Sequence, residues 1–187
     1  VREIAELIGE LDSDDAADVL GDLEEDTVVR VLEVREQEDP EETEDLREPL
    51  KYPKDSAGGL MQVEVASIRC SATSTEAIQA LREWQDDVEN MHFIFVVDDN
   101  ERFIGTVRMA HLALAKPQTP ISDLMEDKFV EVRPTIDQEE VARVFAKYDI
   151  ISLAVTDEES RLLGRILVDD VVEVMEEEAD EDAYRMV

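Results

Sequence analysis

Carboxylates are the side chains in this sequence with the clearest chemistry to offer. Between Asp169 and Asp182 there are nine acidic residues and no basic one. At helical spacing Asp170, Glu173, Glu177 and Glu181 share one face. Like charges three or four residues apart cost roughly 0.2–0.5 kcal/mol per pair on an exposed helix, so this face calls for a counter-charge. A cation or a basic protein surface would supply it. The other face reads Val168, Val171, Val172, Met175 and Ala179, an apolar stripe that predicts a docked helix. Other chemistries find little support. His92 and His111 sit in an apolar strand lead-in and a helix start, and Cys70 is the lone cysteine. No Ser-His-Asp set, HExxH, phosphate-binding loop or CxxC is present, and the acids form no pocket-like constellation for general acid–base work. The expectation is a binding module, not an enzyme.

Composition narrows the partners. Acidic residues number 50 against 18 basic ones, a net charge of -32. Nucleic acid and anionic lipid both require positive charge and are poor partners; cations and basic proteins fit. With 5 lysines and 13 arginines, adaptation to a salty cytoplasm is one reading of part of the generic surface charge, but it does not explain acids gathered at particular helix ends. The longest apolar run is Phe93–Val97, far short of the ~20 residues a bilayer requires, and no signal-peptide pattern appears. Val1 already lies in a helical pattern, as expected of a piece excised from a longer protein.

The elements that position the acids fall into two regions. In residues 1–48 the apolar positions Ile4, Leu7, Ile8 and Leu11, then Ala16, Ala17, Val19, Leu20 and Leu23, then Val28, Val29, Val31, Leu32 and Val34 predict three short helices. Asp12-Ser13-Asp14-Asp15 and Glu24-Glu25-Asp26-Thr27 punctuate them, with Asp14 a candidate cap. The charge run from Glu36 to Leu50, holding Pro40 and Pro49, reads as a solvated linker or loop. Then the chain repeats. Strand Val63–Ile68, a helix through Ala77, Ile78, Leu81 and Trp84, strand Phe93–Val97, strand Phe103–Val107 and helix Met109–Ala115 are followed by strand Phe129–Val132, a helix through Val141, Val144, Phe145 and Tyr148, and strands Ser152–Thr156 and Leu162–Leu167. Asp98 matches Asp157, Arg102 matches Arg161 and Gly105 matches Gly164 at a constant offset of 59. A β-α-β-β-α unit of this size cannot cover both faces of its sheet, whereas two packed together can.

This repeat resembles the tandem cystathionine-β-synthase-type (CBS) module, and the whole order resembles the cytosolic part of MgtE-type magnesium transporters. The residues that carry the resemblance are Tyr52-Pro-Lys-Asp-Ser-Ala-Gly-Gly-Leu-Met61, Glu139-Glu-Val-Ala-Arg-Val-Phe-Ala-Lys-Tyr-Asp149, Val168-Asp-Asp-Val-Val172 and Glu176-Glu-Glu-Ala-Asp-Glu-Asp-Ala-Tyr-Arg-Met186. It implies an α+β fold: a tandem CBS pair preceded by a short all-α helical array, the end of an MgtE-type N domain. The implied boundaries are 1–50 for the acidic array, 51–61 for the linker, 62–118 and 119–175 for the two CBS units, and 176–187 for the start of a connecting (plug) helix. The implied function is Mg2+ sensing at the cytoplasmic face of the cell membrane. The module would form a homodimer through the CBS pair, be covalently continuous with a membrane channel domain, and favour the closed state when Mg2+ bridges acidic surfaces; other divalent ions are further candidates. Position by position, Asp14 and Asp18 resemble N-domain ligands, and Asp170 and Glu173 their partners on the CBS side. Gly59, through its carbonyl, and Asp149 resemble a second site. Glu139, Ala146 (carbonyl), Glu178 and Glu181 resemble ligands near the connecting helix. Glu173 departs from the family pattern, which has Asp there.

The rival is an adenine-nucleotide sensor, since many CBS pairs hold ATP or AMP between their units. The ribose pattern is Gly, Thr or Ser three residues on, and Asp six residues on. The second unit has Gly164, Leu167 and Asp170, lacking the hydroxyl; the first has Gly105, Arg108 and His111. A nucleotide cleft near Asp170 would also set phosphate against a strongly negative protein.

Overall fold

A computed structural model describes residues 1–82, 91–172 and 174–175. Trp84, Glu173, Ala179, Glu178, Glu181 and the expected connecting helix lie outside the described residues. The chain forms two compact units interleaved in sequence. Of the described residues, one gathers 1–64, 132–155 and those from 163 onward; the other holds those within 65–131 and 156–162.

In the first unit the helical array comprises α1 (Arg2–Ile8), α2 (Ser13–Gly21), α3 (Glu25–Glu38) and α4 (Pro40–Arg47), ending in a 3-10 turn over Pro49–Lys51. Ala5, Ile8, Ala16, Leu20, Val31, Leu32 and Leu46 form its core. Each fully buried Leu or Ile there stabilises by roughly 1.5–3 kcal/mol. Helix α4 corrects the expectation of a solvated run. Asp39 caps it by accepting from the Glu42 N–H at 3.1 Å, Pro40 takes the first position, and Glu41 and Glu42 fill the first turn. Leu46 and Thr43 anchor it, at 2% and 0% exposure. Capping, proline at N1 and acids facing the positive helix end all favour a helix here.

The repeats build two three-stranded sheets. The first, in the second unit, has the order β1 (Ser67–Arg69), β2 (Phe93–Val97), β3 (Phe103–Arg108), with β1 parallel and β3 antiparallel to β2. Helices α5 (Ser74–Leu81), α6 (Met109–Leu114) and α7 (Ile121–Leu124) accompany it. Its core joins Ala77, Ile94, Val96, Val107, Leu112 and Ile121. The other sheet has the order β4 (Glu131–Val132), β5 (Ser152–Thr156), β6 (Leu162–Leu167), with α8 (Gln138–Tyr148) before β5. A helical run over 168–172 follows β6.

The 59-residue offset is visible in the hairpin turns. Asp98 Oδ1 accepts from the Asn100 and Arg102 N–H groups at 2.8 and 2.9 Å; Asp157 Oδ1 accepts from those of Glu159 and Arg161 at 2.9 and 2.8 Å. Glu101 and Ser160 both take φ of 62°. The expected strands at residues 63–68 and 129–132 are shorter, because their lead-in segments pair elsewhere. Gln62 exchanges two backbone hydrogen bonds with Arg165 of β6, both 2.8 Å, and Glu126 exchanges two with Thr106 of β3 at 2.8 and 3.1 Å. Each repeat's lead-in thus borders the last strand of the other repeat. The matched glycines permit it: a Cβ on Gly164 would stand 2.5 Å from the Gln62 carbonyl oxygen, and one on Gly105 2.6 Å from that of Glu126.

The helix after β6 splits its apolar stripe. Val171 and Val174 are buried at 2% and 5% exposure, whereas Val168, Val172 and Met175 are 39%, 49% and 55% exposed. The buried face is therefore Val171 and Val174, not the full set read from the sequence.

Candidate functional site

Asp14 lies in the first turn of α2, and its neighbour Ser13 fixes that turn. The Ser13 hydroxyl is fully buried; it donates to Glu64 Oε2 at 2.6 Å and accepts from the Val63 N–H at 2.8 Å. The N-cap position is taken by Asp12, whose side chain makes no capping hydrogen bond, so Asp14 lies inside the first turn and is not the cap. Asp14 is instead buried, at 8% exposure, and its Oδ1 has no hydrogen-bond partner. Desolvation by burial, followed by repulsion from the Asp170 carboxylate, pushes its pKa up to about 7, although backbone N–H groups of the turn pull it down. An ionised, under-solvated carboxylate beside another is costly unless a cation joins them.

Asp14, Asp15, Asp18, Lys54, Asp55, Gly59, Leu60, Gln138, Asp170 and Val174 line one cavity of about 270 Å3 within the first unit. The linker reaches it along a fixed path. Ala57 and Gly58 donate their N–H groups to the carbonyls of Ile136 and Pro134 at 2.7 and 2.8 Å, and the Gln138 N–H donates to the Asp55 carbonyl at 2.9 Å. Gly59 must be glycine, since an added Cβ would run into the carbonyl oxygens of Pro53 and Lys54. Asp170 Oδ2 accepts from the Leu167 N–H at 3.0 Å, which holds its carboxylate back over the end of β6. Asp18 has a raised pKa, from desolvation first and against the opposing pull of Lys54.

Of the ten residues singled out by sequence, Asp14, Asp18, Gly59 and Asp170 come together here. Gly59 lines this cavity, and Asp149, its expected companion, does not. Asp149 is exposed and ends α8 in the left-handed conformation, φ 51° and ψ 48°. Glu139 and Ala146 are exposed on α8, and Arg143 holds Glu139 at 2.8 Å. Lys54, Asp15 and Asp55 are cavity residues that the sequence does not single out; the segment carrying Lys54 and Asp55 stands out in it through the family resemblance, which assigns neither side chain a role.

Among the described residues no group of three His, Cys, Asp or Glu side chains is arranged to hold a metal ion together. The donor set nonetheless fits an ion that wants few protein ligands. It offers an orphaned buried carboxylate oxygen on Asp14, a second carboxylate on Asp170, and polar room for waters. That chemistry suits Mg2+ better than zinc, which prefers sulfur and nitrogen.

Residues 1–55 match the family model of the MgtE intracellular N domain, and residues 57–117 and 121–177 each match that of the CBS domain. The magnesium transporter MgtE of Thermus thermophilus is 37% identical over 92% of this chain, which spans only 38% of that protein's length. A solved structure of the cytosolic domain of the Mg2+ channel MgtE in complex with ATP is 36% identical with a TM-score of 0.83, over 91% of this chain and 69% of that one. Another, of the soluble part of a magnesium transporter, is 30% identical with a TM-score of 0.86, over 94% of this chain and 67% of that one. Among the described residues no helix is long and apolar enough to cross a membrane. With CBS matches over most of its length and an MgtE N domain ahead of them, the chain belongs to the CBS-domain family as a cytosolic region of the MgtE magnesium-transporter type.

Proposed function

We propose that this chain is a Mg2+-sensing regulatory module in which the ion joins Asp14 of the helical array to Asp170 after β6, with Asp18 and the Gly59 segment completing the polar wall. The observation that carries this reading is the buried Asp14 oxygen without a hydrogen-bond partner, facing a second carboxylate. A bound divalent ion would supply the missing positive charge. Asp14 and Asp170 would anchor it while the cavity leaves space for its waters. Without the ion the two carboxylates repel, and the contact between α2 and the helix at 168–172 loosens. State switching follows from differential ion affinity, since the compact state binds the ion and the loosened one does not. In the parent transporter this coupling would favour a closed pore at high cytosolic Mg2+, through a membrane domain continuous with this chain.

The exposed stripe of Val168, Val172 and Met175, with Tyr148 and Ile151 exposed at 48% and 39%, supports a homodimer through the CBS pair. ATP belongs to the neighbour solved with it; five aspartates, Asp170 among them, against one lysine in the lining argue against phosphate at this cavity.

Limited proteolysis with MgCl2 or NaCl at matched ionic strength tests the proposal. Mg2+-specific protection should be lost in Asp170→Asn, which keeps an acceptor for the Leu167 N–H, and kept in Asp99→Asn, a turn acid outside the cavity. Equal protection by both salts, or equal loss in both variants, would reduce the effect to bulk charge.

A further inference from the structure

Lys54 is one of five lysines in a chain with 50 acidic residues, and it lines the acid cavity beside Asp14 and Asp170. Its ammonium stands 3.6 Å from Asp18 Oδ1 and 3.6 Å from Asp22 Oδ1. Asp18 and Asp22 are one helical turn apart, on α2 and at its C-cap. The backbone that delivers Lys54 is fixed, by the Ala57, Gly58 and Gln138 hydrogen bonds already described. The pairing itself is loose, with side-chain exposures of 57%, 52% and 78% for Lys54, Asp18 and Asp22. Ion pairs this exposed contribute little to stability. A weakly held monovalent cation therefore sits on a carboxylate that a divalent ion in the same cavity would also claim. Two cations on one aspartate compete.

We propose that Lys54 is a tethered competitor that sets the divalent-ion concentration at which the cavity fills. It screens Asp18 and Asp22 in the metal-free state and opposes the incoming ion by its own charge. This inference rests on the Mg2+ reading of the cavity. Its chemistry is general. An ammonium several ångströms from a divalent ion in a solvated cavity weakens binding by about five- to tenfold at low ionic strength, and added salt erodes the effect. Lys54 is a positioning residue in this account, acting on the ion through charge and through Asp18.

The test is a Mg2+ titration of the full chain by calorimetry at low ionic strength, comparing wild type with Lys54→Gln, Lys54→Arg and Lys51→Gln. Lys51 pairs with Glu48 outside the cavity. The proposal predicts that Lys54→Gln binds Mg2+ about five- to tenfold more tightly, that Lys54→Arg stays near wild type, and that Lys51→Gln shifts far less. It predicts too that the Lys54→Gln gain shrinks when NaCl is raised. With a wild type that binds Mg2+, an unchanged or weakened Lys54→Gln, or an equal gain in Lys51→Gln, would overturn the proposal alone. A wild type with no Mg2+-specific binding would overturn the sensing reading and this proposal with it.

Discussion

Replacing Asp14 by asparagine exchanges one heavy atom and removes the charge on which the account depends. In the metal-free fold the Asp14 carboxyl titrates at about 7 against 3.8 in a free side chain. At 1.36 kcal/mol per pKa unit, the ionised form is disfavoured by of order 4 kcal/mol. Between pH 3.8 and 7 the folded chain keeps a proton that the unfolded chain has lost. Stability is therefore undiminished by this group below 3.8, falls as pH rises, and levels off above 7. A neutral amide at this position carries no such cost. Metal-free Asp14→Asn should match wild type near pH 4 and exceed it at pH 8 by up to that amount. For a chain of this size that is a Tm gain of up to about 8–16 °C, at about 2–4 °C per kcal/mol. Mg2+ should narrow the gap: at a hundredfold excess over Kd the wild type gains about 2.7 kcal/mol and the variant little. Urea denaturation at pH 4, 6 and 8, with MgCl2 or ionic-strength-matched NaCl, reads all of this. Parallel pH profiles together with equal Mg2+ increments would refute the reasoning.

Gly59→Ala should lower stability and blunt the Mg2+ response together, because the added methyl meets the Pro53 and Lys54 carbonyls that shape the cavity wall; thermal melts with and without Mg2+ check it. Asp157→Ala removes the acceptor of two turn hydrogen bonds and should cost about 1–3 kcal/mol while leaving the Mg2+ increment intact, as measured by the same denaturation series. Val172→Glu places a charge in the exposed stripe and should convert a dimer to a monomer in sedimentation without altering helical content; a dimer that persists would rule out that face as the interface.

The sequence reveals most where geometry is local. The hairpin turns at Asp98 and Asp157 announce themselves because an aspartate must accept the same two backbone N–H groups in each repeat. Helix α4 is hidden because Asp39-Pro40-Glu41-Glu42, a good helix start, lies in a run dense enough in charge to pass for a linker, and only the tertiary anchors Thr43 and Leu46 decide the matter. The short strands differ from expectation at their lead-in ends, since Gln62 and Glu126 pair with strands about a hundred and about twenty residues away in the chain, which no local pattern records. At the site, Asp14 and Asp170 can be picked out by resemblance, but periodicity places Asp14 only near a helix start. Its burial depends on long-range packing, as does the arrival of Lys54 beside Asp18. The divided stripe after β6 has the same cause: helical spacing gives the relative positions of Val168, Val171, Val172 and Met175, while the neighbouring elements determine which of them are covered.

A crystal structure of this chain grown in Mg2+ decides whether the ion occupies this cavity. The expected result is an ion bound to Asp14 Oδ1 at about 2.1 Å with near-octahedral geometry completed largely by water, Asp170 in its first or second coordination sphere, and the Lys54 ammonium withdrawn from Asp18. Mg2+ bound elsewhere on the chain, with this cavity still bridged by Lys54 and Asp14 holding a proton, would contradict it.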